Sequence, residues 1–177
     1  VAAARHLVDA GVARADAVFV RGTSAGGTTA LLSLATGTVR GAVAWYPASS
    51  FDDDEGGFEE GYLAGLLGTA TAAERSPLAR AGELSGRALV VQGELDEVVG
   101  LDESRRLVEA LSRSLESVEL LVVPGEGHGF RTTTGRAAAL GAELAFYLAA
   151  IREVPGAEPG ARYDATAAGS PDRHERP

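Results

Sequence analysis

The sequence contains no cysteine and no methionine, and aromatic residues make up only 6% of its 177 positions. Without cysteine there is neither a disulfide framework nor a thiolate metal site, and the redox compartment leaves no mark on the chain. Without methionine there is no initiator residue, and Val1 already lies in a stretch of helical periodicity, so the expectation is a fragment or processed piece. Cations are outnumbered: 16 Lys and Arg against 25 Asp and Glu leave a net charge of -9. That balance provides no basic field for a phosphate backbone or an anionic lipid surface, so nucleic acid is not an expected partner. Apolar runs such as Leu144 to Ile151 fall short of the roughly 20 residues that cross a bilayer, and no membrane span is expected. Any signal sequence would precede Val1; a cytoplasmic location is the working expectation.

What is present is a 45% hydrophobic chain, long enough for one buried core. Short apolar runs at Ala17 to Arg21, Gly41 to Tyr46, Ala88 to Gln92 and Val118 to Val123 predict strands, the first three suited to burial on both faces. Helical spacing connects them: Val1 to Ala10, Gly26 to Ala35, Asp102 to Leu115, and a last helix from Thr134 with Leu140, Leu144, Tyr147, Leu148 and Ile151 on one face. Strands alternating with helices predict the α/β class, a mostly parallel sheet with helices on both faces. Residues 48–87 read as an excursion above the sheet edge, acidic at Asp52 to Glu55. A domain over 1–152 is followed by a tail over 153–177, expected to be disordered because four of the seven prolines fall there among Gly, Ala and charged residues.

Gly22-Thr23-Ser24-Ala25-Gly26 is a G-x-S-x-G pattern lying directly after a strand and before a helix. Chance supplies about 0.2 such patterns in a chain this rich in glycine, so its placement carries the weight. There a sharp turn exposes the serine hydroxyl at the carboxyl end of the sheet, and the Ala25 N–H faces a developing oxyanion. The plain alternatives are a glycine-rich turn without chemistry or a phosphate loop, the latter lacking both the Gly-x-Gly-x-x-Gly spacing and a lysine. A nucleophilic serine needs a base. Of three histidines, His6 is expected to be solvated on the first helix and His174 lies in the tail, which leaves His128, in a Gly-rich loop after the fourth strand. Asp96, after the third strand, is placed to orient it; Glu94 and Glu97 stay open by spacing, and Asp102 fits a helix cap. Ser, Asp, His is the chain order that α/β-hydrolases use.

Together with RGTSAGG, VVQGELDEVV and PGEGHGFR, these placements resemble the catalytic domain of the prolyl oligopeptidase family of serine peptidases, in its dipeptidyl aminopeptidase and acylaminoacyl peptidase branch. The resemblance covers residues 1–151 and includes Tyr62-Leu63, Gly65 to Gly68 and Arg75-Ser76-Pro77. It implies the C-terminal half of an α/β-hydrolase domain, Ser24 as nucleophile, Asp96 as acid, His128 as base, and no cofactor or metal. It also implies that an N-terminal propeller, the first strands of the sheet and a second oxyanion donor belong to upstream sequence. Short peptides are the implied substrates. By position, Phe51 and Tyr46 are candidates to line the pocket for the residue before the scissile bond, with simple packing as the plainer role. A carboxylesterase or dienelactone-hydrolase-like enzyme, and a truncated module without catalysis, are the competing readings, because fold and triad do not set the leaving group.

Overall fold

The computed structural model describes residues 1–51 and 71–154. Four strands, β1 (Phe19–Thr23), β2 (Gly41–Trp45), β3 (Arg87–Gly93) and β4 (Ser117–Val123), pair in that order and every pair is parallel. Five helices accompany them among the described residues: α1 (Ala2–Asp9), α2 (Ala25–Leu32), α3 (Ala72–Arg75), α4 (Leu101–Leu111) and α5 (Thr133–Arg152).

The apolar runs are strands because alternate side chains meet two different covered faces. Ala42, Ala44, Ala88 and Val90 pack with Ala30 and Leu31 of α2 and with Leu107 and Leu111 of α4. Val43, Trp45, Leu89 and Val91 face the opposite way, onto Ala139 and Phe146 of α5. Every residue of β2 is buried. The small residues on the α2 and α4 side let those helices approach the sheet closely. Among the described residues no helix is long and apolar enough to cross a membrane.

The element boundaries depart from the expected ones for local reasons. Ala15–Ala17 forms a single 3-10 turn, so β1 starts at Phe19 and runs on through Thr23, whose partner is Trp45. Gly100 caps α4, while Asp102 sits in the first turn and pairs with Arg105, so it is not the cap. Helix α5 is rotated from the face expected for it: Ala139, Glu143, Phe146 and Ala150 are buried, and Leu140 and Leu144 are 53% and 58% exposed. The cause is that α5 is apolar almost all round, and its face is set by Phe146, which packs with Val43, Trp45, Leu89 and Val91, and by Glu143, which bonds Arg21 of β1. The acid among them is satisfied, since Glu143 accepts from Arg21 Nε at 2.9 Å and from Tyr147 Oη at 2.8 Å. Burial first, and that acceptor second, raise the Tyr147 phenol above its ordinary range. The expected stripe of α1 is likewise not a core face, for Val1 and Leu7 are exposed.

Of the excursion, residues 52–70 lie outside the described residues, and with them the acidic run Asp52 to Glu55 and the Tyr62 to Gly68 segment. Its near end is a strap, residues 46–51, tied down by polar groups. Glu103 accepts from the Ser49 and Ser50 N–H groups and from Ser49 Oγ, while Thr28 Oγ1 donates to Ala48 O and Ser76 Oγ to Ser49 O. Of the tail, residues 155–177 lie outside the described residues; Val154 is buried and Glu153 ion-pairs with Arg87.

The rotation of α5 and the fully buried α4 leucines give a paired test. Leu107→Ala is expected to cost about 2–5 kcal/mol in urea unfolding, through lost transfer energy and a residual cavity. Leu140→Ala, at a position whose helical pattern predicts burial but which is exposed, is expected to change stability by no more than about 0.5 kcal/mol.

Candidate active site

Ser24 stands between β1 and α2, with φ 52° and ψ -124°. A non-glycine residue in that region carries about 1–3 kcal/mol of strain, which the surroundings must hold in place. They do so through Ser24 N–H, which donates to Trp45 O at 2.9 Å, and through Ser24 O, which accepts from Thr28 N–H at 3.1 Å. The turn is tight enough that a Cβ on Gly22 would lie 2.0 Å from Gly26 O. A Cβ on Gly26 would meet nothing within 4 Å, so the two glycines of the pattern are not equivalent: the space is needed at Gly22. Ala25 opens α2, and its N–H is one of the first-turn donors that a helix leaves without an internal acceptor.

His128 and Asp96 reach the same place from two other strand ends. His128 Nε2 is 3.0 Å from Ser24 Oγ, and its Nδ1 is 2.9 Å from Asp96 Oδ2 and 3.2 Å from Oδ1. The imidazole side chain is 23% exposed and the Asp96 carboxylate fully buried. A buried carboxylate is costly unless its oxygens are bonded. Here Oδ1 accepts from the Val98 and Val99 N–H groups, both at 2.9 Å, and Oδ2 accepts from Gln92 Nε2 at 2.9 Å as well as facing His128. The neighbouring acids point elsewhere: Glu94 accepts from Gly125 N–H, and Glu97 is exposed.

The loops bearing Asp96 and His128 approach so closely that a Cβ on Gly93 would fall 2.5 Å from Glu126 O. Glu126, a buried side chain that sequence reasoning passed over, organises the loop around His128. It accepts from Arg131 N–H, from Thr132 N–H and from Thr132 Oγ1, and these bonds, the Thr132 hydroxyl first, hold its carboxyl below the usual glutamate range. Its only sequence signal was an acid between glycines.

Among the described residues Tyr46 is the other non-glycine at positive φ, at 40°, and its ring lies on His128 with centroids 4.7 Å apart and planes 58° apart. Phe130 packs on both Tyr46 and Trp45. Phe51, at the far end of the strap, is buried with Ala48 and Val99. Ser24, His128, Asp96 and Tyr46 are therefore brought together, and Phe51 shares a buried cluster with Val99, whose N–H bonds Asp96. His6 is exposed on α1. Chemically, a hydroxyl in contact with an imidazole whose second nitrogen faces a carboxylate can lose its proton during attack on an electrophilic carbon.

The model of the prolyl oligopeptidase family matches residues 1–153. Among solved structures, the chain is similar to a puromycin-hydrolyzing peptidase of Mycobacterium tuberculosis, at 37% identity and TM-score 0.75, over 82% of this chain and 24% of that one. It is similar also to a puromycin hydrolase, at 31% identity and TM-score 0.73, over 89% and 25% of the two chains. Dipeptidyl peptidase 4 of Porphyromonas gingivalis shares the fold at 22% identity and TM-score 0.70, over 84% and 22%. The chain spans about a quarter of the length of these structures. No curated protein matches it. With the α/β-hydrolase sheet, its serine at the strand-to-helix turn and a family match over nearly all the described residues, this chain belongs to the prolyl oligopeptidase family of serine hydrolases.

Proposed function

We propose that this chain carries the catalytic centre of a serine peptidase acting on short peptides and related aminoacyl amides, with Ser24 as nucleophile, His128 as general base and Asp96 as the acid that orients it. The observation carrying this reading is the single imidazole in hydrogen-bonding distance of Ser24 Oγ on one side and Asp96 on the other. Ser24 Oγ attacks the carbonyl carbon while His128 Nε2 takes its proton. The carbonyl electron pair moves to oxygen, which the Ala25 N–H stabilises at the start of α2. When the tetrahedral adduct collapses, the C–N bond breaks and the departing amine takes the proton from His128. Water, deprotonated by the same nitrogen, then releases the acid from the Ser24 ester. Asp96 holds the imidazole in the tautomer with its proton on Nδ1 and stabilises the imidazolium that forms.

Tyr46 and Phe51 are proposed to contact the substrate residue before the scissile bond, Tyr46 from beside His128 and Phe51 from the anchored strap. Puromycin, hydrolysed by the two similar proteins, is the first amide to try. An esterase reading uses the same residues and differs only in the leaving group, so substrate choice separates the two.

Three measurements test the proposal. A fluorophosphonate probe is expected to label Ser24 alone, with labelling abolished in Ser24→Ala and strongly reduced in His128→Ala; labelling that persists in Ser24→Ala would overturn the assignment. Asp96→Asn is expected to lower turnover by roughly 10⁴-fold through the wrong imidazole tautomer. Puromycin and a dipeptide anilide are expected to be cleaved along with p-nitrophenyl acetate; cleavage of the ester alone would favour the esterase.

Glu126 generates a prediction with a defined sign. Because its carboxyl is held below the ordinary range, its contribution to stability is full above the unfolded glutamate value and is lost as pH falls through the depressed folded one. Glu126→Gln is therefore expected to melt below the parent protein at neutral pH, and the gap between the two is expected to close as pH drops below about 4. A gap independent of pH would show that the carboxylate charge is not what holds the His128 loop.

A further inference from the structure

Gln92 is a fully buried polar side chain in the apolar strand β3, and Ser104 is a fully buried hydroxyl on α4. No step of the hydrolysis above uses either one. Buried amides and hydroxyls are costly unless every bond is made, and here the bonds form a chain. Gln92 Nε2 donates to Asp96 Oδ2 at 2.9 Å and to Val99 O at 2.9 Å, while Gln92 Oε1 accepts from Ser104 Oγ at 2.7 Å. The amide has only one workable orientation, since a flip would set its oxygen against a carboxylate and a carbonyl, neither of which can donate.

The oxygen that Gln92 holds is the one nearest His128. Asp96 Oδ1 is held by two backbone N–H groups, and Oδ2 lies 2.9 Å from both Gln92 Nε2 and His128 Nδ1. With Oδ1 held from the following turn, the donor on Oδ2 sets how far the carboxylate can rotate about its Cβ–Cγ bond. Without that donor Oδ2 is restrained by His128 alone, and the carboxylate is held firmly only at Oδ1.

We propose that Gln92 and Ser104 are positioning residues for Asp96: Ser104 anchors the Gln92 amide at Oε1, and Gln92 holds Oδ2 toward His128. The inference rests on the proposed roles of Ser24, His128 and Asp96. Neither residue touches substrate, so their loss lowers kcat and leaves KM alone. The brace also runs from the sheet to α4, so the docking of that helix is felt at the base through one amide and one carboxylate.

The test compares p-nitrophenyl acetate turnover by the protein with turnover by Gln92→Leu, Ser104→Ala, Asp96→Asn and the Gln92→Leu/Asp96→Asn double variant. Thermal melts and the low-field proton resonance of His128 Nδ1–H are recorded for each. Gln92→Leu is expected to lower kcat about 10- to 100-fold with KM within about twofold, and to shift or broaden the low-field resonance. Ser104→Ala is expected to do the same to a smaller extent. In the Asp96→Asn background, Gln92→Leu is expected to add no further loss of kcat, because the brace acts only through the carboxylate. If Gln92→Leu keeps kcat and the resonance and only melts lower, or lowers kcat equally in both backgrounds, the inference is overturned while the fall in Asp96→Asn leaves the catalytic reading standing. If Asp96→Asn turns over like the parent protein, the catalytic reading and the inference fall together. Should Gln92→Leu not fold, Ser104→Ala decides by the same readouts: an unchanged kcat with an unchanged resonance overturns the proposal.

Discussion

Parallel pairing is the constraint from which the rest of this molecule follows. Because all four strands run the same way, the carboxyl ends of β1, β3 and β4 finish along one edge, and the loops leaving them meet there. Ser24, Asp96 and His128 are separated by up to 104 positions in the chain, yet each needs only a short turn to reach the others. Parallel strands also require crossover connections, and these helices cover both faces of the inner strands β2 and β3 and remove them from water. The same topology that builds the core thereby gathers the polar groups above it.

Close approach is the second condition. The serine turn requires an absent side chain at Gly22, and the contact between the Asp96 and His128 loops requires one at Gly93. At both positions the atoms in the way are backbone, which cannot step aside as a flexible side chain can. The strain at Ser24 and Tyr46 belongs with these contacts. Each strained residue donates its N–H to a carbonyl on the neighbouring strand, Trp45 O for Ser24 and Val91 O for Tyr46, so the sheet itself sustains the two unusual turns.

The buried acids among the described residues follow one rule. Asp96, Glu126 and Glu143 are all buried acids, and each is satisfied by more than one donor. Such groups add little net stability compared with apolar residues of the same shape. What they give is direction: an acid with two or more fixed donors has one orientation, whereas an apolar side chain in the same space has none to keep. Glu126 directs the loop around His128, Glu143 joins edge strand β1 to α5, and Asp96 faces the imidazole.

The sequence by itself determined the class of the fold and the residues with chemistry to offer. Apolar runs of strand length, separated by helical periodicity, leave few options besides a helix-covered parallel sheet, and only one serine lies on a strand-to-helix turn of the right pattern. These are local signals, written in neighbouring residues. Tertiary structure decided the rest. Which face of α5 is buried followed from Phe146, packed against the sheet, and from Glu143, bonded to Arg21 of β1, and these contacts leave Leu140 and Leu144 outward. Which of three nearby acids meets His128 followed from where a single turn leaves each carboxylate, with Glu94 drawn to Gly125 and Asp96 to Val98 and Val99. The partners of Gln92, Ser104 and Glu126 were equally invisible, because a hydrogen bond across elements depends on packing distances that spacing along a chain does not encode.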